Sequence, residues 1–203
     1  MNLLSTLIAN ELPSELTAAQ QQSYVTFACV SRNASRDEDL NEEPTITLLE
    51  RRQLISGSLT TGYRTWEAAL HLGQYLLTHA GRQLVANKNV LELGAGTGFI
   101  SILCAKHLGA THVTSTDGDE GVVDTLRDNL FLNGLDDDSK VLTSVLRWGQ
   151  GLKGTWVEED CEAQPYDVVL GADIVRISPA NNRSTKTPLT AATRPTTKKH
   201  VQL

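Results

Sequence analysis

Between residues 89 and 173, short apolar runs alternate with stretches of helical period. Val90, Leu91 and Leu93 form the first run. His112 to Thr116 is a β-rich second, Val141 to Leu146 an alternating third, and Tyr166 to Asp173 an almost wholly apolar fourth. Between the first two, Phe99, Ile100, Ile102, Leu103 and Leu108 recur at helical spacing. Val122, Val123, Leu126, Leu130 and Phe131 do the same before Asn133-Gly134, a helix stop. Strands alternating with helices predict a parallel α/β sheet of Rossmann-like type. The expected strand order is 3-2-1-4, with the fourth run at an edge because no strand pattern follows it.

The flanks read differently. Leu3, Leu4 and Leu7 share a helical face, and Leu12 and Leu16 lie one turn apart beyond Pro13. Residues 1–30 are therefore expected to be helical, and 1–44 to be an N-terminal helical extension that ends in a polar linker over 31–44. Ile46, Leu48 and Leu49 mark a short strand or a helix start. Thr65 is placed to cap a helix carrying Trp66, Ala69, Leu70, Leu76 and Leu77. Residues 150–165 read as a polar loop. From Arg176 onward Thr and Pro dominate with no helical or strand period, so 176–203 reads as a disordered tail. The domain proper is expected over 45–175.

Composition narrows the classes. The length of 203 residues suits one domain plus an extension, and the net charge of −6 conceals an uneven spread. The tail holds Arg176, Arg183, Lys186, Arg194, Lys198 and Lys199 and no acid, so the body is strongly acidic. That argues against non-specific nucleic-acid binding. No apolar run approaches the roughly 18 residues of a membrane helix. Cys29, Cys104 and Cys161 are odd in number and widely spaced, which suggests neither a disulfide framework nor a zinc site. A cytoplasmic setting fits, and Asp136-Asp137-Asp138 lacks the rest of a calcium loop.

The candidate chemistry gathers at the end of the first run. Gly94, Gly96 and Gly98 follow it at alternate positions, with Glu92 inside the run. Such glycines let a ligand approach the backbone, and the helix beyond them begins with unpaired N–H groups. The same glycines could make a tight turn with no ligand. A dinucleotide site wants G-x-G-x-x-G, but Phe99 stands at that last position, leaving E-x-G-x-G-x-G. Asp117 ends the second run about 20 residues further on, where an acid accepts bonds from ribose hydroxyls or caps the next helix. Trp66 is a core or ligand-stacking residue, with core favoured by its pattern. Asp173 ends the fourth run, where open α/β sheets place ligands.

The pattern E-x-G-x-G-x-G resembles motif I of the S-adenosylmethionine-dependent methyltransferases. Together with Thr61-Gly62-Tyr63-Arg64-Thr65-Trp66-Glu67-Ala68-Ala69, Asp117, Leu146-Arg147-Trp148-Gly149 and Asp167-Val168-Val169-Leu170-Gly171-Ala172-Asp173, it resembles the seven-strand protein-lysine methyltransferases of non-histone proteins. The N-terminal part and residues 55–69 are similar to the fungal methyltransferases of translation elongation factor 2. The resemblance implies an S-adenosylmethionine cofactor and a protein substrate, elongation factor 2, met by a monomer. It implies that Trp66 and Trp148 contact the cofactor, that Glu92, Gly94, Ala95, Gly96 and Gly98 form the loop beside its methionine part, and that Asp117 holds its ribose. Ala172 would lie beside the cofactor, and Asp173 would open the D-x-x-Y motif bordering the lysine channel and serve catalysis.

The sequence also departs from that family. Asp173-Ile174-Val175-Arg176 puts Arg176 where the family has an aromatic residue, and a cation there would oppose a cationic lysine. The family continues with three more strands, whereas residues 176–203 lack a strand pattern. The change of character after Val175 reads as a truncated or mis-spliced continuation, or else as a divergent tail. The rival to an active lysine methyltransferase is therefore an inactive product that at most binds cofactor or a partner.

Overall fold

The computed structural model describes residues 22–30, 44–51, 61–149, 153–174 and 192–193. Four strands, β3 (Asn89–Leu93), β4 (His112–Asp117), β5 (Val141–Val145) and β6 (Val168–Gly171), run parallel in the order β5-β4-β3-β6. This is the expected α/β sheet and the expected order 3-2-1-4. The chain builds outward from β3 through β4 to β5, then returns to the far side of β3. The order therefore reverses between β3 and β6, and ligands of open α/β sheets bind beyond the carboxyl ends at such a point.

The edge expectation fails. β7 (Ala192–Thr193) pairs antiparallel with β6, Val168 against Thr193 and Val169 against Ala192. An apolar strand leaves its outer N–H and C=O groups unpaired unless something covers them. A two-residue strand carries no readable period, which is why the sequence did not announce it. The rest of the 176–203 tail, Arg176 included, lies outside the described residues.

Five helices accompany the strands among the described residues: α1 (Glu67–Leu76), α2 (His79–Val85), α3 (Phe99–Lys106), α4 (Glu120–Leu132) and α5 (Trp156–Ala163). α3 is buried from Phe99 through Ala105, so it is the centre of the core rather than a surface helix. α5 replaces the polar loop expected over 150–165. Its apolar content is small, but Val157 is buried and Trp156 Nε1 donates to the Val145 carbonyl at 3.1 Å, tying the helix to the end of β5.

The largest correction concerns the N-terminal side. Residues 22–28 are not helical; they form β1 (Gln22–Ala28), antiparallel to β2 (Thr45–Arg51) in a separate two-stranded ribbon. Tyr24-Val25-Thr26-Phe27 is rich in aromatic and β-branched residues that fit a pleated surface. β2 turns Ile46 and Leu48 fully inward, where they join Val90, Ile102, Leu103 and Leu126 in the core. Burying each such side chain contributes about 1.5–3 kcal/mol, so β2 is anchored against α3 and α4. Phe27 meets Phe99 edge to face at 5.2 Å. The helical pattern of Leu3 to Leu16 and the linker over 31–43 fall outside the described residues. Among the described residues, no helix is long and apolar enough to cross a membrane, and no group of side chains could hold a metal ion.

Candidate functional site

A cleft of about 500 Å³ opens beyond the carboxyl ends of β3, β4, β5 and β6. Its floor is the glycine loop. Gly94, Gly96 and Gly98 all have positive φ, at 65°, 55° and 84°. At Gly96 a β-carbon would stand 3.2 Å from the Gly62 carbonyl oxygen, because the segment 61–66 lies directly on the loop. Gly98 plays a different part. It caps α3, and a β-carbon there would meet Leu126 Cδ1 at 2.2 Å. Gly98 is absent from the cleft wall, whereas Glu92, Gly94, Ala95 and Gly96 line it.

Asp117 stands at the carboxyl end of β4, on the rim of the loop. Its Oδ2 accepts from the Gly96 N–H at 3.1 Å and its Oδ1 from the Asp119 N–H at 3.2 Å. The helix cap that Asp117 could have supplied belongs to Asp119, whose Oδ1 accepts from the Val122 N–H at 3.1 Å. Each Asp117 oxygen has a second acceptor position, so the carboxylate holds the loop and can still take hydroxyl donors from the cleft.

Glu92 points into the same cleft from within β3 and is 3 % exposed. Burial pushes its carboxyl up to about 7; hydrogen bonding from Ser101 works against this, and the charge of Asp117 adds to it. Ser101 donates to Glu92 Oε2, and the Ser101 and Ser115 hydroxyls are 2.7 Å apart. None of the ion pairs among the described residues involves Glu92. A buried acid without a cation favours its neutral form, and a ligand cation would favour the charged one.

The walls come from distant parts of the chain. Trp66, half-buried rather than a core residue, lines one side; its Nε1 donates to the Thr61 carbonyl at 3.0 Å, and the Arg64 guanidinium sits 5.3 Å from its ring. Trp148 lines the other, with ring carbons 3.5 Å from where a Gly94 β-carbon would be. Thr65 does not cap α1, whose N-cap position is Trp66; its hydroxyl is spent on Glu50 and Thr97 instead. Beyond β6, Ala172, Asp173 and Ile174 close the cleft. Asp173 is exposed and left-handed at φ 56°, an uncommon state for a residue other than glycine. Ile174 packs over Gly94 and Gly171.

Residues 44–187 match the family model described as lysine methyltransferase. The chain belongs to that family. It is 53% identical over 174 residues to the protein-lysine N-methyltransferase EFM3 of Chaetomium thermophilum, covering 86% of this chain and 50% of that protein. To EFM3 of Saccharomyces cerevisiae it is 33% identical over 66% of this chain and 41% of that protein. To human protein-lysine N-methyltransferase EEF2KMT it is 32% identical over 64% of this chain and 40% of that protein. The chain thus spans about half the length of the curated relatives it matches, or somewhat less.

Trp66, Glu92, Gly94, Ala95, Gly96, Asp117, Trp148, Ala172 and Asp173, which the sequence singled out, therefore converge on one cleft, while Gly98 stands behind it. Sequence reasoning missed Thr65, Thr97, Arg147 and Ile174 as lining residues. Arg147 had a readable signal in its place beside Trp148. Thr65 and Thr97 had none, since their contacts cross 32 residues of chain.

Proposed function

We propose that this chain carries the cofactor-binding half of an S-adenosylmethionine-dependent protein-lysine N-methyltransferase acting on translation elongation factor 2. The observation that supports it best is the convergence of an acid at the end of β4, Asp117, a buried acid outside any ion pair among the described residues, Glu92, and a glycine floor on one cleft at the sheet's reversal point. The residues fit the cofactor's chemistry. Asp117 would accept from the ribose hydroxyls with its spare lone pairs, Trp66 and Trp148 would bear on its flat and apolar parts, and Glu92 would face its cationic amino-acid end. Gly94, Ala95 and Gly96 would let it lie against backbone, Gly98 would set the loop's exit into α3, and Ala172 would lie beside it. In this reading residues 45–175 are the ligand-binding domain, 1–44 an extension and 176–203 a tail outside it.

Bound there, the cofactor supplies an activated methyl group for direct displacement by a lysine amine. The protein's share of that reaction is alignment. A lysine has a reference pKa of about 10.4, so its ammonium must first give a proton to water; the neutral amine would then take the methyl group, with S-adenosylhomocysteine as the leaving group. Asp173, exposed at the cleft mouth, would accept a hydrogen bond from the incoming amine and aim it, and misalignment by about an ångström costs on the order of a hundredfold in rate. The reading includes cytoplasmic action by a monomer.

A second reading is favoured by one sequence observation: Arg176 stands where the resemblance expects an aromatic residue. In that reading the chain binds cofactor or a partner and transfers nothing. The deciding assay incubates the 203-residue chain, and in parallel a version carrying the family's continuation after Val175, with elongation factor 2 and labelled S-adenosylmethionine. Methyl-lysine is then mapped by mass spectrometry. Label only with the extended version supports the non-catalytic reading of this chain; label with neither removes elongation factor 2 as the substrate.

A further inference from the structure

β2 breaks its own alternation. Its inward positions are Ile46, Leu48 and then Glu50, an acid only 5 % exposed where a third aliphatic would continue the pattern. Glu50 reaches the hydroxyl of Thr65, which donates to its Oε1. A threonine has one proton to give, so at the 2.6 Å contact between the Thr65 and Thr97 hydroxyls it is Thr97 that donates. Thr97 belongs to the glycine loop, and its carbonyl accepts from Asn129 Nδ2 at 3.0 Å. Asn129 Oδ1 in turn accepts from the Leu49 N–H at 2.7 Å. Leu49 and Glu50 are neighbours on β2, so the path closes into a ring: β2, Thr65, the glycine loop, α4 and back to β2.

One turn along α4, Asn133 accepts from the Thr47 N–H at 3.1 Å and donates to the Thr47 carbonyl at 2.7 Å. The two asparagines stand in for a neighbouring strand along the outer edge of β2. Every side chain of the ring is buried, Asn129 completely. Thr65 and Thr97 line the cleft, whereas Glu50 and Asn129 do not. The ring also holds the segment 61–66 against the glycine loop, where the Gly62 carbonyl closes on Gly96, and Trp66 follows Thr65 directly. A buried acid is weak support for stability as such; here it fixes the relative placement of two pieces of the cleft.

We propose that the β1–β2 ribbon is a brace for the glycine loop, with Glu50 and Asn129 as positioning residues, so that ribbon docking and ligand binding stabilise each other. The inference rests on the reading of the cleft as an S-adenosylmethionine site. Coupling of this kind is reciprocal: a ligand that prefers the braced loop must protect the ribbon.

The test uses the whole chain with S-adenosylhomocysteine as the probe, measuring affinity by calorimetry and amide exchange at Thr47 and Leu49. In the wild type, the probe slows exchange at both amides. Glu50→Met weakens binding about tenfold or more, as expected when the buried Thr65 hydroxyl loses its acceptor, and abolishes the ligand's effect on exchange. Glu50→Gln, which keeps an acceptor, stays within about threefold of wild type. Asn129→Asp, which turns an oxygen toward the Thr97 carbonyl, behaves like Glu50→Met. A folded Glu50→Met that binds as wild type does, or a wild type whose bound probe leaves both amides unchanged, overturns the brace. If Glu50→Met fails to fold, the wild-type exchange result decides alone. A wild type that binds no probe brings down the reading of the cleft itself, and the brace with it.

Discussion

The two ends of the cleft are built on different terms. At the glycine-loop end every group is fixed from more than one side. Asp117 takes two backbone donors, Thr97 is held through both its hydroxyl and its carbonyl, and Glu92 is enclosed. At the β6 end, Asp173 is exposed and sits at positive φ, and its neighbour Ile174 packs onto Gly94 and Gly171. On the proposed reading, the difference separates binding from transfer. Holding a cofactor needs a well-held floor, and the hydrogen bonds of Asp117 and Thr97 fix the glycine loop. In the proposed reading, aiming a lysine needs a second wall at the β6 end, and among the described residues that wall is Ala172, Asp173 and Ile174.

Variants can sharpen that contrast. The largest effect belongs to the floor. Gly98→Val forces a β-branched residue into a left-handed position and drives it onto Leu126, which should cost about 2–5 kcal/mol in a denaturant titration. A loss below about 0.5 kcal/mol would mean that the floor is not rigid.

The enclosure of Glu92 makes the next prediction. Its folded pKa, raised from 4.5 to about 7, means that the folded state favours the protonated acid. That stabilisation is fully present below the unfolded pKa and is lost as pH rises through the folded one. The ligand-free chain should therefore lose stability on the order of 3 kcal/mol between about pH 4.5 and 7 from this group. Glu92→Gln should flatten the slope in that window; an unchanged slope would move its source elsewhere. The smallest effect falls on the rim, where Asp119→Ala removes the α4 cap. It should cost about 1 kcal/mol of stability and leave affinity for S-adenosylhomocysteine within about threefold.

The sheet was legible because each of its strands carries its own signal: an apolar run, a glycine turn, or an acid about 20 residues on. Asp117 could be placed from spacing, although only the structure separates it from Asp119 as cap. β1 was hidden because the leucines before it read as a helix and its partner lies across the linker. Val157 was too little apolar surface to reveal α5, yet Thr155-x-x-Glu158 opens it with a readable helix start. Glu50, Thr65 and Asn129 were beyond reach for a deeper reason. A buried polar residue is explained by its partner, and partners this far apart in sequence are brought together only by the fold.

The division between the two ends comes down to one calorimetric series with S-adenosylhomocysteine on the wild type, Asp117→Ala and Asp173→Ala. The account predicts one site on the wild type, an affinity loss of more than tenfold for Asp117→Ala, since a charged acceptor to hydroxyls contributes about 1.5–3 kcal/mol, and near-wild-type binding for Asp173→Ala. Equal affinity for the wild type and a folded Asp117→Ala would contradict it.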